Sequence, residues 1–483
     1  MKNRILSDKI NSMVGKKIKM AGWVHSRRDH GKLIFIDLKD DKGITQLVFL
    51  PNNKNAYQNA KVLKTNYVIE VGGNVNNRPP KLINKDIISG SVELEVNELE
   101  ILNKSQNPPF EIDKNTVLVD EELRLKYRYL DLKSKRMRTN IHNRYKILYF
   151  LRNFLNEQNF IEIQTPILSK STPEGARDYL VPSRLHPGKF FALPQSPQQY
   201  KQLIMISGFE KYFQVAPCFR DEDARADRSP GEFYQLDMEM SFMSQEEILD
   251  LVEKMFTQLI KKIFPNKVIT KSPWPRLTHD EVMKKYKSDK PDLRKNKNNP
   301  DELAFTWILD FPLFNKQTKE DFFHGSGSNL APSHHMFTAP KKEDIKLLEK
   351  DPLKVKSYQH DLVLNGLELG GGSIRIHEWE IQEKIFDLLG FTKQQKEQFN
   401  HLKTAFSYGV PPHGGIAPGI DRLVSILCNE NNIKEVIAFP LTGEARDPLM
   451  DSPTEVTKKQ LKDVHIKTDF EQKPNQNKHY KKL

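Results

Sequence analysis

Apolar and polar positions divide the chain into a strand-rich first part and a longer part that mixes helical and strand-like patterns. In the first part, short apolar runs separated by turn-forming residues lie at residues 18–25, 33–38, 44–50, 67–71 and 92–96. Strands this short and this close together predict a small β-barrel, and a five-stranded OB-fold is the best candidate.

Basic and aromatic side chains accompany the second predicted strand of this barrel. Arg27, Arg28 and Lys32 lie close to Phe35 along the chain, and Gln46 follows across the next turn. OB-folds bind single-stranded nucleic acid by stacking bases on aromatic rings within a basic groove. The group therefore predicts a nucleic-acid surface. The alternative is a structural barrel in which Phe35 belongs to the core.

The second part opens with an amphipathic helix predicted over residues 139–160. Its apolar positions recur with helical spacing and form the stripe Ile141, Tyr145, Leu148, Leu151 and Leu155, which Ile147, Phe150 and Phe154 widen. A predicted strand, residues 160–168, follows and contains Pro166. Proline favours the edge of a sheet or an interface, so helix and strand together suggest packing or oligomerisation, with plain core as the alternative.

A charged loop between two predicted strands is the richest segment, at residues 213–242. In the second strand the apolar residues Leu236, Met238 and Met240 alternate with polar ones. Because strand side chains alternate between faces, one face carries the polar residues Gln235, Asp237 and Glu239. A hairpin with arginines and carboxylates over a polar face suits a ligand that bears both charges. The alternative is a solvated hairpin tip.

Two further segments carry candidate binding residues. Gln198 and Lys201 share a face of the helix predicted after Pro197. A lysine near a helix N-terminus opposes the helix dipole, which suggests a negative partner; an exposed lysine is the alternative. Glu368 and Arg375 flank three glycines, a feature typical of close ligand approach, or of a simple hairpin turn.

Another glycine-rich strand leads into a helix with Arg422 in its first turns. The N-terminus of that helix suits a phosphate, although no Walker A loop or dinucleotide fingerprint is present. The adjacent residues His334 and His335 would point to opposite sides of an extended chain. This arrangement argues against a metal held by both rings.

The composition indicates a basic protein of two or three domains, because 483 residues exceed one ordinary core. The net charge of +12 favours a polyanionic partner, nucleic acid first. The only cysteines, Cys218 and Cys428, are far apart, which excludes a disulfide framework and a zinc cluster. No secretory or membrane-spanning apolar run is found, so we expect a cytoplasmic protein with no membrane partner. The polar tail after about residue 460 is expected to be disordered.

Three segments resemble the signature motifs of class II aminoacyl-tRNA synthetases. The segment 219–222, with Phe233 and Glu239, resembles motif 2, and residues 415–423 resemble motif 3. The helix and strand through Pro166 resemble motif 1. Details at residues 172–184, 195–198 and 218–228 are similar to the bacterial type of aspartyl-tRNA synthetases. The resemblance covers roughly residues 1–455.

The resemblance implies an α+β fold, in which an N-terminal OB-fold barrel precedes an antiparallel sheet flanked by helices. The expected domains are an anticodon-binding domain at 1–104, a linker at 105–138, a catalytic domain at 139–460 and a tail at 461–483. Motifs 1, 2 and 3 would lie at about 139–170, 213–242 and 413–440. The family also implies a homodimer built on motif 1.

The implied reaction has two steps: ATP and L-aspartate give aspartyl-adenylate, and the aspartyl group then passes to tRNA(Asp). Arg220, Arg422 and Glu368 are the implied catalytic residues, with Asp361 and Glu368 holding Mg²⁺. The implied ATP-binding set is Arg220, Asp221, Glu222, Phe233, Glu368, Gly419, Ile420, Asp421 and Arg422. Asparaginyl-tRNA synthetase is the alternative within the class.

The resemblance also assigns residues to the amino acid and to the anticodon. Lys201 and Arg375 would bind the side-chain carboxylate of aspartate, and His334 would lie on a closing loop. The residues implied around the ammonium group and the α-carboxylate are Glu174, Gln198, Gln235 and Asp237. The implied anticodon contacts are Arg28, Phe35, Gln46, Arg78 and Glu93.

The chain departs from the family pattern in three places. Residues 293–305 form a short polar connection where bacterial relatives carry an inserted domain. Pro418 replaces an aromatic residue of motif 3, and Gly231 is an extra residue in the motif 2 loop. For the choice of tRNA, His30 resembles enzymes that also charge tRNA(Asn), whereas Lys81 favours the strict kind.

Overall fold

The structure is a computed structural model, described here for residues 4–112, 114–171, 176–222, 231–317 and 327–468. The chain divides into two compact units, Met1–Thr116 and Val117–Leu483.

The first unit is a closed five-stranded barrel with strand order β1-β2-β3-β5-β4. Its strands are β1 (Lys17–His30), β2 (Leu33–Lys39), β3 (Ile44–Phe49), β4 (Val68–Asn77) and β5 (Val92–Asn103). Helix α1 (Lys54–Ala60) and two 3-10 helices, Ile10–Met13 and Pro80–Leu82, complete the unit. The predicted OB-type barrel is confirmed, with β1, β4 and β5 extending beyond their predicted apolar runs.

Alternation along β2 decides which side chains fill the barrel. Ile34, Ile36 and Leu38 are buried in the core, so Phe35 and Asp37 project from the opposite face of the same strand. Phe35 is half-buried and does not belong to the core cluster. The interpretation of Phe35 as a core residue is therefore wrong.

The second unit is built on an eight-stranded sheet with strand order β12-β14-β17-β18-β19-β10-β9-β6. Neighbouring strands are antiparallel except for the two outermost pairs, β6–β9 and β12–β14. The first elements are α2 (Glu121–Lys126), α3 (Arg128–Asp131), α4 (Lys135–Glu157), β6 (Ile161–Glu162), β7 (Leu180–Pro182), β8 (Phe190–Ala192), α5 (Gln198–Ile206), β9 (Lys211–Arg220), β10 (Gly231–Ser241) and α6 (Gln245–Ile263).

The chain then adds the remaining strands and helices of this unit. They are β11 (Val268–Ile269), β12 (Arg276–Thr278), α7 (His279–Tyr286), β13 (Glu302–Leu303), β14 (Phe305–Leu309), β15 (Phe314–Lys316), β16 (Leu330–Pro332), α8 (Leu347–Lys350), β17 (Gln359–Leu364), β18 (Leu367–Ile374), α9 (Trp379–Leu388), α10 (Lys393–Glu397), α11 (Asn400–Phe406), β19 (His413–Pro418), α12 (Ile420–Leu427) and α13 (Lys458–Asp463). Short 3-10 helices occupy Thr116–Leu118, Lys342–Asp344, Pro352–Lys354 and Ile433–Val436. The antiparallel sheet flanked by helices is as predicted.

The core of this unit lies between one face of the sheet and helices α4, α6 and α12. Leu236, Met238 and Met240 of β10 are fully buried there, as their alternation predicts. Helix α6 begins at a capping box in which Ser244 and Glu247 exchange hydrogen bonds with each other's backbone N–H groups. The polar face of β10 consequently lies on the other side of the sheet, away from these helices.

The predicted apolar stripe of α4 is partly wrong. The structure buries Ile147, Leu151, Phe154 and Leu155 against the sheet, whereas Tyr145 is 65% exposed. The helix carries apolar residues on two faces, and only tertiary packing decides which of them is covered. The strand predicted at 160–168 is shorter in the structure, where β6 ends before Pro166. Strand β6 lies at the edge of the sheet, the position that a nearby proline favours.

The polar connection between α7 and β14 is an ordered loop rather than a loose linker. The carboxylate of Glu302 accepts hydrogen bonds from the backbone N–H groups of Lys295, at 2.7 Å, and Asn296, at 3.0 Å. The ammonium group of Lys267 donates to the carbonyl oxygen of Pro300 at 2.9 Å. These bonds fasten the short connection to the body of the second unit.

Candidate active site

A cavity of about 290 Å³ opens on the polar face of β10. Helix α5 contributes Gln198 and Lys201 to its wall. The other residues of the predicted amino-acid set that line it are Gln235, Asp237, His334 and Arg375. Glu174, the remaining member of that set, lies outside the described residues. Elements far apart in the chain thus bring six predicted residues together.

Two cations and two carboxylates form a buried network at the wall of this cavity. The Lys201 ammonium group lies 2.8 Å from Asp237 Oδ2 and 3.2 Å from Glu239 Oε2. The Arg375 guanidinium donates two hydrogen bonds to Glu239, from Nε to Oε1 at 2.9 Å and from Nη2 to Oε2 at 3.1 Å. All four side chains are at most 2% exposed. Glu239 therefore fixes the position of both cations, a role that the polar pattern of β10 did not predict.

Burial and neighbouring cations act in opposite directions on the two carboxylates. Burial alone would raise the pKa of Glu239, but Arg375 and Lys201 outweigh it and hold that pKa at about 2. Burial raises the pKa of Asp237 above its ordinary value, although Lys201 opposes this shift. Glu239 is thus the carboxylate that permanently balances the charge of Arg375.

Both histidines of the 334–335 pair face the cavity, contrary to the expectation that they would point to opposite sides. Their ring centroids are 4.4 Å apart because the chain bends at Ser333 and His334 instead of running extended. His335 Nε2 lies 2.7 Å from Arg375 Nη1. Burial lowers the pKa of both rings well below the ordinary value, so both are neutral at pH 7. No contact of His335 with the site was predicted from the sequence. Its position next to His334 was the only feature of the sequence that indicated such a contact.

A second cavity, of about 120 Å³, adjoins the first and shares several of its walls. The residues common to both are Arg220, Glu222, Gln235, Glu368, Gly371 and Ala417. The Arg220 guanidinium lies 5.0 Å from the centroid of the Phe233 ring. Arg422, at the start of α12, donates to the backbone oxygen of Glu368. Predicted nucleotide-binding residues of motifs 2 and 3 therefore meet in one place, beside the amino-acid cavity.

Three members of the predicted nucleotide-binding set have side chains that make other contacts or lie in other surroundings. The carboxylate of Asp421 accepts a bond from Arg144 at 2.6 Å and one from the Tyr234 backbone N–H at 3.1 Å. The side chain of Ile420 is fully buried in the core. Asp221 is half exposed and lies 3.6 Å from Arg177. Asp421 lines the nucleotide cavity and also braces α4, β10 and α12, whereas the side chain of Ile420 belongs to the core. The nucleotide-binding roles of these residues stay predictions.

The carboxylates of Asp361 and Glu368 lie on adjacent strands at the edge of these cavities. Burial and the nearby Glu368 raise the pKa of Asp361 well above its ordinary value. Paired carboxylate oxygens that repel each other suit Mg²⁺, which takes one or two protein carboxylates and completes its shell with phosphates and water. Within the described part of the chain, no group of three or more His, Cys, Asp or Glu side chains is arranged to hold a metal. Asp361 and Glu368 would suit a Mg²⁺ ion whose other ligands are phosphate oxygens and water.

Close approach of neighbouring strands explains one of the three glycines beside Glu368. A β-carbon on Gly370 would lie 2.5 Å from the Cα of Pro418 on β19. Pro418, the residue that departs from the motif 3 pattern, is buried at the end of β19. Gly370 therefore permits close strand packing, and it also lines the nucleotide cavity, so the ligand approach that the glycine run suggested stays a prediction.

The five predicted anticodon residues lie close together in the barrel unit, four of them on strands β1, β2, β3 and β5 and the buried Arg78 just after β4. Arg28 lies directly across from Phe35 in the strand register. Gln46 donates to Glu93 at 2.8 Å and lies 3.4 Å from Arg28, while the Arg78 side chain lies 3.8 Å from Glu93. The charged and amide groups form a connected network, with the half-buried ring of Phe35 beside it.

Comparison with known families decides what kind of protein has these two units. Residues 120–443 match the class II tRNA synthetases (D, K and N), and residues 18–102 match the OB-fold nucleic acid binding domain. The chain belongs to the class II tRNA synthetases. Enzymes of this class use ATP as a substrate. Within the described residues, no helix of this synthetase is long and apolar enough to cross a membrane.

Curated relatives of this class II synthetase match it over nearly its whole length. A protein from Rubrobacter xylanophilus is 40% identical, with 94% of this chain and 95% of that protein covered. One from Pelodictyon phaeoclathratiforme is 39% identical, with 98% of each covered. Both are named Aspartate--tRNA(Asp/Asn) ligase. The first alignment spans 579 positions, more than the 483 residues of this chain, so the relative has a substantial stretch that this synthetase lacks.

Solved structures share the fold of this synthetase at lower sequence identity. Asparaginyl-tRNA synthetase from Pyrococcus horikoshii, complexed with asparaginyl-adenylate, is 22% identical with a TM-score of 0.72, covering 91% of this chain and 98% of that chain. A putative aspartyl-tRNA synthetase from Leishmania major is 19% identical with a TM-score of 0.71, covering 91% and 94%. These likenesses concern the fold alone.

Proposed function

We propose that this class II synthetase is an aspartate–tRNA ligase, which forms aspartyl-adenylate from ATP and then transfers the aspartyl group to the 3′ end of tRNA. The buried pair Lys201 and Arg375 carries the proposal, because two fixed cations in one small cavity suit a side-chain carboxylate. The curated names of the 40%-identical relatives support the same choice of amino acid.

Donor counting shows how the cations would receive this substrate. Lys201 has three N–H donors, and two carboxylates lie against its ammonium group. Arg375 has five donors, and its contacts with Glu239, His335 and Ser373 occupy four of them. Donors that remain on each cation can bind the aspartate carboxylate. The NH₂ group of asparagine would face donors there, and sites with a fixed hydrogen-bond pattern reject such analogues by about 10⁴–10⁵.

The first chemical step needs no protein nucleophile. An α-carboxylate oxygen of aspartate forms a bond to the α-phosphorus of ATP, and the bond from that phosphorus to the leaving pyrophosphate breaks. Arg220 would bind the α-phosphate and Arg422 the γ-phosphate, with adenine stacked on Phe233. Glu222 would hold the adenine end, and Gly419 would face the nucleotide through its backbone. Catalysis then consists of positioning and charge neutralisation.

Asp361 and Glu368 would hold Mg²⁺ together with the phosphates of ATP. A bound Mg²⁺ supplies positive charge that neutralises phosphate oxygens.

The barrel would recognise the anticodon through Phe35, Arg28, Gln46, Arg78 and Glu93. We propose that tRNA(Asp) and tRNA(Asn) are both charged, since the relatives carry the name Aspartate--tRNA(Asp/Asn) ligase and His30 resembles that kind. Lys81 favours the strict kind. Charging of purified tRNA(Asp) and tRNA(Asn) with aspartate distinguishes the two, and failure to charge tRNA(Asn) would restrict the enzyme to tRNA(Asp).

Replacing Phe35 with alanine is expected to weaken anticodon recognition. Stacking of one base contributes about 1–3 kcal/mol, so kcat/KM for tRNA should fall about 5- to 150-fold. Aspartate-dependent exchange of pyrophosphate into ATP, which does not involve tRNA, should stay at the wild-type rate. An unchanged kcat/KM for tRNA would remove Phe35 from the anticodon site.

We also propose a homodimer built on α4 and β6. Large apolar side chains remain exposed there: Tyr145 at 65%, Tyr149 at 60% and Ile161 at 50%. Tyr145 and Tyr149 stack on each other at 6.1 Å between ring centroids, which presents a flat aromatic surface. The expected mass at micromolar concentration is twice the chain mass of 56.2 kDa. Light scattering measures it, and a monomer would contradict the dimer.

Pyrophosphate exchange tests the proposed function directly. The protein, ATP, Mg²⁺ and labelled pyrophosphate are combined with aspartate or with asparagine in parallel. We expect exchange with aspartate and a rate with asparagine at least about 10³-fold lower. Exchange driven by asparagine and not by aspartate would reject the proposal in favour of asparaginyl-tRNA synthetase.

A further inference from the structure

A lysine outside the three motifs, Lys290, contacts a carboxylate that lines the nucleotide cavity. Lys290 lies in the segment that follows α7, and its Nζ is 3.2 Å from Oε2 of Glu368. Glu368 lines both cavities. The other two cations near the phosphates, Arg220 and Arg422, come from motifs 2 and 3 and also line the nucleotide cavity.

The segment that carries Lys290 packs against the β17–β18 hairpin, which carries the proposed metal-binding carboxylates Asp361 and Glu368. The Lys290 backbone N–H donates to Ser288 Oγ at 3.0 Å. Gly366, in the turn between β17 and β18, has a φ of +84°, and a β-carbon there would lie 3.2 Å from Asp292 Cβ. The segment and the turn are thus in close contact, which fixes the backbone of Lys290 beside Asp361 and Glu368.

Negative charge exceeds positive charge at this corner. Asp361 and Glu368 lie on adjacent strands of one hairpin, and Asp289 precedes Lys290 in the chain, so three carboxylates accompany this one lysine. The Lys290 side chain is 42% exposed, so its ammonium group has room to move while its backbone stays in place. A mobile ammonium group on a fixed backbone can exchange one anionic partner for another a few ångströms away.

We propose that Lys290 is a third phosphate-binding cation of the nucleotide site, which pairs with Glu368 in the free protein and contacts the β- and γ-phosphates of bound Mg·ATP. The inference rests on the nucleotide site of the proposed function. Its chemistry is that of a charge-assisted hydrogen bond between an ammonium group and phosphate oxygens. When Glu368 takes part in holding the metal, Lys290 loses its carboxylate partner and gains the polyphosphate.

The test is calorimetric titration of Mg·ATP and of AMP into the full chain without amino acid. Lys290→Gln is expected to weaken Mg·ATP binding about tenfold and to leave AMP binding unchanged, because AMP lacks the β- and γ-phosphates. Lys290→Arg, which keeps the positive charge, should stay within about threefold of wild type. Lys284→Gln, at an exposed lysine of α7, makes the same charge change away from Glu368 and should have no effect.

Two outcomes would overturn the inference. Equal Mg·ATP affinity for wild type and Lys290→Gln would make the pair with Glu368 a surface ion pair only. Tighter Mg·ATP binding by the variant would make Lys290 a competitor of the metal. Both outcomes are measured as Mg·ATP affinity and need only that the wild-type protein binds Mg·ATP. If aspartate does not drive pyrophosphate exchange, the proposed function fails, but the titration still tests the role of Lys290.

Discussion

Replacing Arg220 with alanine is expected to lower the rate of aspartate-dependent pyrophosphate exchange by about 10³-fold. Arg220 lines both cavities and lies over the Phe233 ring, so it is placed where the α-phosphate of ATP would meet the carboxylate of aspartate. A cation at the transferring phosphorus stabilises charge that develops in the transition state, and loss of such a group typically costs 10²–10³-fold or more. Initial exchange rates at saturating substrates measure the effect.

The matched control for this variant is Arg446→Ala. Arg446 is a surface arginine, 55% exposed, that pairs with Glu444. Its loss should leave exchange within about twofold of wild type. Binding of tRNA by Arg220→Ala should survive, because the anticodon residues lie in the other unit. An exchange rate within tenfold of wild type would remove Arg220 from its assigned role.

Local patterns were sufficient to predict the barrel strands and the two faces of β10. Strand alternation depends only on neighbouring residues, so Leu236, Met238 and Met240 could be assigned to the core from the sequence alone. The covered face of α4 could not be chosen in this way. Its helix offers apolar residues on two faces, and the choice depends on where the sheet lies, which involves contacts distant in sequence.

The motif resemblance predicted many of the residues that line the two cavities but did not reveal how they are held. Glu239 bridges Lys201 and Arg375, which stand 38 positions before it and 136 positions after it in the chain, so sequence spacing gives no sign of the contact. Asp421 is next to Arg422 in motif 3, yet its carboxylate faces Arg144 and the backbone of β10. Bracing contacts of this kind arise from the packing of sheet and helices, and only coordinates identify them.

Replacing Glu239 with glutamine is expected to destabilise the second unit by about 3–5 kcal/mol, since loss of one partner leaves Lys201 and Arg375 buried without their shared counter-charge. In differential scanning calorimetry the transition of the second unit should fall by roughly 5 °C. A separate barrel transition should not move. Glu349→Gln, at a 71%-exposed carboxylate paired with Lys384, should change stability by less than about 1 kcal/mol.

The pH dependence of the free energy of unfolding at acid pH separates the effect of the charge of Glu239 from the effect of its side-chain packing. Its pKa is about 2 in the folded protein against an ordinary value of 4.5. A lowered pKa means that the ionised carboxylate stabilises the fold fully above about pH 4.5, and that this contribution is lost as the pH falls through about 2. Asp237 and His413 neighbour Glu239 in both proteins. The stability difference between wild type and Glu239→Gln should therefore shrink from about pH 4.5 downward. A difference that stays constant over that range would show that the variant acts through packing, and that the charge of Glu239 does not hold the two cations in place.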